Sequence, residues 1–245
     1  MSFKLKNVLV IITLLLFFIA CKKENACDCF KRTGKIITEK RSLVGFDGIL
    51  VENNLNVFIT QDSIFEIIVE AGENIAPLIK TEVQNGTLTC KNDNRCNFTR
   101  SYGKPLNIYI KMPYIKYITS NSTGDITSLN TITTDTFNLH TRNSGNITIN
   151  THSKKILTEM HGSGDLTITG HTNEHSCYIA GTGFLYCDAL QTDYTYIHTF
   201  TLGLCYLNVT NFLICKMEQI GDVYCYGKPK TVWYTSTSSG KLYIQ

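Results

Sequence analysis

A glycine returns every 18 to 21 residues through the second half of this 245-residue chain, at Gly124, Gly145, Gly164, Gly183, Gly203, Gly221 and Gly240. Two residues after it stand Ile126, Ile147, Leu166, Leu185, Cys205, Val223 and Leu242, all apolar. Four residues after it stand Ser128, Ile149, Ile168, Cys187, Leu207, Cys225 and Ile244, apolar in six of seven copies. Between them lie Thr127, Thr148, Thr167, Tyr186, Tyr206, Tyr224 and Tyr243. Each copy therefore reads as a short strand whose second and fourth positions point inward and whose third points outward. Thr and Tyr both suit the outer surface of a pleated strand.

The glycine follows Ser or Thr in five of the seven copies, and a polar residue often comes next. That pattern predicts a turn in which glycine supplies a positive φ and Asp or Asn bonds nearby backbone. A second strand is expected upstream, as in Phe137-Asn138-Leu139, Cys177-Tyr178-Ile179 and Cys215-Lys216-Met217. One period then holds about two short strands and two turns, with no helical pattern. A single copy cannot bury its apolar side, whereas stacked copies can, about 4.8 Å apart. An antiparallel sandwich also spaces its strands closely, but it does not require matching inward columns across seven copies. The expected fold is all-β, a β-helix or β-solenoid with coils of about 19–20 residues.

The chain opens with a targeting pattern. Lys4 and Lys6 precede an apolar run, residues 8–20, interrupted only by Thr13. Thirteen residues are too few to span a bilayer as a helix but suit the apolar region of a signal peptide. Phe18-Ile19-Ala20-Cys21 resembles the bacterial lipobox, with Phe18 in place of the usual Leu; this implies cleavage before Cys21 and its acylation. The resemblance implies a lipid anchor in the outer membrane. Lys22-Lys23-Glu24-Asn25 is similar to the charged stretch that follows the lipidated cysteine in Bacteroidetes lipoproteins. The expected organisation is a signal peptide (1–20), a lipidated tether and cap (21–43), and one β-helical unit (44–245), irregular over 44–115 and regular over 116–245. Within the irregular part, Asn85-Gly86 marks a hairpin turn, and residues 74–79 suggest one helical turn broken by Pro77.

Charge excludes one class of partner. The chain has 23 basic and 20 acidic residues; without Lys4 and Lys6 the balance is 21 against 20, or +1. No basic field able to hold nucleic acid is implied.

The order of a Val/Ile-rich opening, Asn-Gly-Thr-Leu-Thr-Cys at 85–90, Leu-Asn-Ile-Tyr-Ile-Lys-Met-Pro at 106–113 and repeated Ser-Gly-Asp-type units resembles the family described as putative auto-transporter adhesin, head GIN domain. The resemblance spans roughly residues 44–244 and implies a right-handed β-helix in exported Bacteroidetes proteins. It implies no established activity. The later copies depart from the pattern, because Gly-Phe, Gly-Leu and Gly-Lys replace Gly-Asp there.

Four sets of residues are candidates for chemistry. Tyr186, Tyr206, Tyr224 and Tyr243 would stack on one exposed sheet as a ligand-facing platform for glycan or protein. The alternative, which the pattern favours, is cross-strand stabilisation of about 0.2–1 kcal/mol per pair. Asp125, Asp165 and Asp222, with Asn146, follow the glycine; turn hydrogen bonding accounts for them better than Ca²⁺, since the dense Asp pattern of calcium repeats is missing. His152 and His171 stand seven residues after their glycines in adjacent copies, with no third metal ligand evident. His140 and His198 share a register but lie three copies apart.

With Cys21 acylated, nine of ten cysteines remain. Cys90 and Cys96 form the best disulfide candidate in an oxidising periplasm, while Cys27 and Cys29 are too close together to pair. Cys177/Cys187 and Cys215/Cys225 repeat a ten-residue spacing and read as core residues two coils apart.

No nucleophile elbow, zinc-protease motif or phosphate loop occurs. The expectation is a non-catalytic envelope lipoprotein, without cofactor or metal, that binds glycan or protein. A polysaccharide-active β-helix enzyme is the alternative, and a self-assembling scaffold is a third possibility, since residues 240–245 form a strand edge able to pair. Asp62-Ser63-Ile64 also resembles a Bacteroidetes O-glycosylation motif at Ser63.

Overall fold

The computed structural model describes residues 32–94 and 103–245. The signal and lipobox residues, with Cys21, Cys27 and Cys29, lie outside the described residues, as does Cys96. The first half contains β1 (Ile36–Arg41), β2 (Gly48–Asn53), β3 (Asn56–Gln61), β4 (Glu66–Gly72), β5 (Ile79–Gln84), β6 (Thr87–Asn92), β7 (Asn107–Met112), β8 (Tyr117–Ser122) and β9 (Ile126–Ser128). The second half contains β10 (Ile132–Thr141), β11 (Ile147–Met160), β12 (Leu166–Gly181), β13 (Leu185–Thr201), β14 (Cys205–Met217), β15 (Val223–Cys225), β16 (Thr231–Ser236) and β17 (Leu242–Ile244).

These strands wind into a β-solenoid of about seven turns. Neighbouring coils pair in parallel and in register: Ile126, Ile147, Leu166, Leu185, Cys205, Val223 and Leu242 are successive partners in one interior row. The six from Ile126 to Val223 are 0–1% exposed. The row continues backward through Val57 and Ile108. A sandwich would not place these side chains over one another, so the columns decide for the solenoid.

Each coil has three faces rather than two strands and two turns. β11, β12 and β13 run 14, 16 and 17 residues and bend through two corners without breaking. The first face follows the glycine. The middle face carries Thr151, Ser153, Thr172, Leu190 and Thr192 inward, all at most 4% exposed. The far face begins near Phe137, where Phe137, Ile156, His175, Thr195, Leu213 and Val232 are partners from coil to coil. Hydroxyls on the middle face are satisfied internally: Thr151 Oγ1 donates to Ile132 O at 2.8 Å and Thr192 Oγ1 to Asn208 O at 3.0 Å. The uneven glycine spacing is absorbed by register shifts, between Thr167 and Gly170 and again between Tyr186 and Gln191.

The glycine column is explained by contact, not by torsion. None of the seven column glycines has a positive φ, contrary to the turn that the sequence suggests. Instead they stack on one another. A Cβ on Gly164 would lie 2.2 Å from Gly145 O, and one on Gly183 would lie 2.1 Å from Gly164 O. The coils approach so closely at this corner that only a residue lacking Cβ fits. The Asn85-Gly86 turn does behave as expected. Both residues have positive φ, 51° and 77°, and they join antiparallel β5 and β6. A 3-10 turn, Ala76–Leu78, contains Pro77.

The first half is threaded differently. β2 lies between β6 and β8, and β3 lies between β7 and β9, all in parallel. The chain thus makes an inner coil, moves outward to lay β6 and β7 on one side of it, then returns with β8 and β9 on the other. Antiparallel strands close that outer end: β4 on β7, β1 on β4 and β5 on β6. β1 belongs to the stretch expected to serve as tether and cap.

Candidate functional site

The outward position of the first face carries the tyrosines. Tyr186, Tyr206, Tyr224 and Tyr243 are register partners. Their ring centroids are 5.4, 5.5 and 5.0 Å apart, with interplanar angles of 4°, 18° and 13°. The pitch of the coil sets that spacing, slightly wider than the roughly 4.8 Å between backbones. The rings lean as one file and are half-buried except Tyr243, which is more open. Two residues outside the column extend the plane: Phe184 stacks on Tyr186 at 6.0 Å and Tyr226 on Tyr206 at 6.4 Å. Both were missed in the sequence, although each stands two residues from a column tyrosine on the same side of the pleat.

None of the hydroxyls of Tyr186, Tyr206, Tyr224, Tyr226 and Tyr243 bonds to another described residue, so they are free to meet a ligand or water. The Tyr206 and Tyr224 hydroxyls are raised above the usual tyrosine range. Partial desolvation by neighbouring rings is the main cause, reinforced by Tyr186 for Tyr206 and by Asp222 for Tyr224. They are neutral at physiological pH and act as both donor and acceptor. Further along the same outward column come Thr167, Thr148 and Thr127, then Phe58 and Tyr109, which stack at 5.0 Å. The face is aromatic at both ends and threonine-lined in the middle.

Beside it runs a polar ladder. The Asp125 amide donates to Asn56 Oδ1 at 3.1 Å, the Asn146 amide to Asp125 Oδ1 at 2.9 Å, and the Asp165 amide to Asn146 Oδ1 at 2.9 Å. Phe184 donates to Asp165 Oδ1 at 2.9 Å, and Lys241 to Asp222 Oδ1 at 2.8 Å. The Asx side chains therefore tie one coil to the next rather than closing local turns. Each such bond is worth about 1 kcal/mol. Asn56 belongs to this ladder although no glycine precedes it. The alternation in Leu55-Asn56-Val57-Phe58-Ile59 was the available signal.

The remaining candidates separate. His152 and His171 do meet, with ring centroids 5.4 Å apart. Among the described residues, no group of three or more His, Cys, Asp or Glu is placed to hold a metal ion. His140 and His198 lie in one column, separated by Glu159 and Tyr178, and pair with Glu159 and Glu218 respectively. Cys177, Cys187, Cys205, Cys215 and Cys225 are buried free thiols. Ile197 separates Cys177 from Cys215 in their column. Burial pushes the Cys215 thiol up to about 12, so these are core residues rather than nucleophiles. Cys90 is likewise a buried thiol pushed to about 12; its candidate partner Cys96 is outside the described residues. An open groove of about 700 Å³ lies elsewhere, between Tyr114, Lys116, Asp135, His152 and Lys154. Its charges are committed, Lys116 to Asp47 at 2.5 Å and Lys154 to Asp135 at 2.8 Å.

Comparison with known proteins bears on the whole of this body. The model of the family described as putative auto-transporter adhesin, head GIN domain, matches residues 45–229. The chain belongs to that family. Solved structures share the fold at low identity. A putative adhesin from Bacteroides fragilis superposes with a TM-score of 0.83 at 20% identity, covering 88% of this chain and 100% of its own. A putative adhesin from Parabacteroides distasonis gives 0.66 at 20% identity, with 88% and 100% covered. A protein from the same organism described as a putative lipid binding protein gives 0.67 at 17% identity, with the same coverage. No curated protein matches.

Proposed function

We propose that this head GIN domain protein is a non-catalytic binding module of the cell envelope, presenting the tyrosine face to glycan or protein. The observation that carries the reading is the file of near-parallel rings with free hydroxyls. Stacked rings offer a broad apolar surface already ordered before a ligand arrives, so little side-chain entropy is lost on binding. The free hydroxyls supply adaptable hydrogen bonds along its length. Membership of an adhesin family and the adhesin-like neighbours support the same direction.

The test is a glycan array probed with the wild-type chain and with a Tyr206→Ser, Tyr224→Ser variant. These side chains face outward, so the variant keeps its fold, and binding falls at least ~10-fold, as for loss of aromatic anchors. An unchanged array profile rejects the platform and leaves the ladder as a stabilising device.

The reading places the module on the envelope through its N-terminus. Residues 1–20 act as a signal peptide, and Cys21 carries the lipid that holds the body at the outer membrane. Metabolic labelling with palmitate is expected to mark the wild-type chain and to be lost in Cys21→Ala. Label retained in that variant removes the anchor.

A further inference from the structure

The two ends of the solenoid are finished in different ways. At the outer end of the first half, antiparallel strands cover the stack, and the outermost strands carry charge: Glu39, Lys40 and Arg41 on β1, Lys80 and Glu82 on β5. Charged side chains on an edge strand block further pairing. At the opposite end, among the described residues, β16 pairs only with β14, and β17 only with β15. Their sequences, Thr-Val-Trp-Tyr-Thr-Ser and Leu-Tyr-Ile, contain no charge.

The interior also shows at this end. Val232 continues the column of Leu213 and Tyr234 that of Cys215, yet they are 37% and 43% exposed, and Ile244 is 47% exposed. Tyr234 partly lies over the opening, its hydroxyl donating to Gly240 O at 3.2 Å. Eleven of the sixteen exposed large hydrophobic side chains among the described residues stand at or beyond Tyr194. Five of them, Val232, Trp233, Tyr234, Tyr243 and Ile244, stand on the terminal strands β16 and β17 themselves.

We propose that this end joins the same end of a second copy, as a closed two-fold dimer. The occupant has two requirements to meet: backbone donors and acceptors for two strand edges, and apolar cover for the open columns. A lipid surface covers apolar groups but leaves the edge amides and carbonyls without hydrogen-bond partners. A glycan supplies hydrogen bonds but poor cover for Val232 and Ile244. A second copy supplies both. A two-fold axis brings edge strands of the two copies together antiparallel, and antiparallel strands already close the other end of this molecule. The charged strands at that other end stop the contact from repeating, so the assembly closes at two instead of growing as a fibre.

Salt dependence distinguishes this contact. Residues 226–245 contain Lys228, Lys230 and Lys241 and no acid. An end-to-end dimer brings the lysines of both copies onto one rim, so the dimer tightens as salt screens their repulsion. Docking of an acidic partner would instead weaken with salt.

Sedimentation velocity on the whole chain in mild detergent, at micromolar concentration, is the test. The wild-type chain is expected to run as a dimer whose dissociation constant falls several-fold between low and high salt. Val232→Lys, Ile244→Lys is expected to weaken it at least ~10-fold, while leaving Tyr206 and Tyr224 untouched, so that glycan binding reports separately on the platform. A monomer, an open-ended series of oligomers, weakening of the wild-type dimer by salt, or a dimer unaffected in the variant each overturns the proposal. The salt arm uses only the wild-type chain and stands even if the variant folds poorly.

Discussion

Gly164→Ala is expected to remove at least ~3 kcal/mol of stability, or to prevent folding outright, the scale of loss seen for overpacked and strained positions. One methyl group is responsible. It would sit 2.2 Å from Gly145 O and 2.8 Å from the carbonyl carbons of Gly145 and Ser144. All three contacts are backbone, held by parallel pairing on both sides, so no side chain can swing away to make room. Gly103→Ala is the control. Among the described residues, a Cβ there meets nothing within 4 Å, so the change is expected to stay within about 0.5 kcal/mol. Urea denaturation of the two variants measures both. Equal and small losses would show that the coils can separate at this corner without cost.

Acid is expected to act through His175. The ring is fully buried, and burial pulls its pKa from 6.5 down to about 4. Nε2 lies 2.9 Å from Thr158 Oγ1 and 3.1 Å from Cys177 Sγ, and Nδ1 has no partner. The folded state therefore resists a proton that the unfolded state accepts near pH 6.5. Stability is fully present above that pH, falls as pH drops from about 6.5 to about 4, and levels off below. A lowering of that size corresponds to about 3 kcal/mol. His175 takes a column position that Ile156 and Thr195 occupy in neighbouring coils. His175→Leu should thus flatten the profile between pH 6.5 and 4. The ion-paired carboxylates Glu66 and Glu218 are held below their usual range of about 4.5, so their effect comes at lower pH. A profile that keeps its slope in His175→Leu would assign the acid sensitivity to other groups.

The first face was readable in the sequence because each of its columns keeps one chemical character. Ile147, Leu166 and Leu185 announce an inward row, and Tyr186, Tyr206 and Tyr224 an outward one. The middle and far faces were less so. Their columns mix Thr, His, Cys and Leu, and bulges after Thr167 and Tyr186 break the count between glycine and partner. His171 thus meets Gln191 rather than Leu190. The reason for the glycines is not legible in the sequence, because a positive φ and a close backbone approach both demand the same residue. The arrangement of the first half gave no local sign. Asn56 and Asp125 are 69 residues apart, and nothing in a strand of alternating residues names a parallel partner at that distance. In the candidate site, the four tyrosines were evident, while Phe184 and Tyr226 fell outside the repeated triplet.

The placement of β2 and β3 has a consequence for how the protein is made. They are among the first strands to emerge during synthesis, yet their neighbours on both sides, β6 with β7 and β8 with β9, are all made later. Nothing lasting can form around them until residue 128 is available, and the loops to be closed are long. From β10 onward each new coil needs only the one before it. Biogenesis therefore divides into a waiting phase, when Val57 and Ile59 are bare and chaperone protection matters most, and a zippering phase that advances coil by coil.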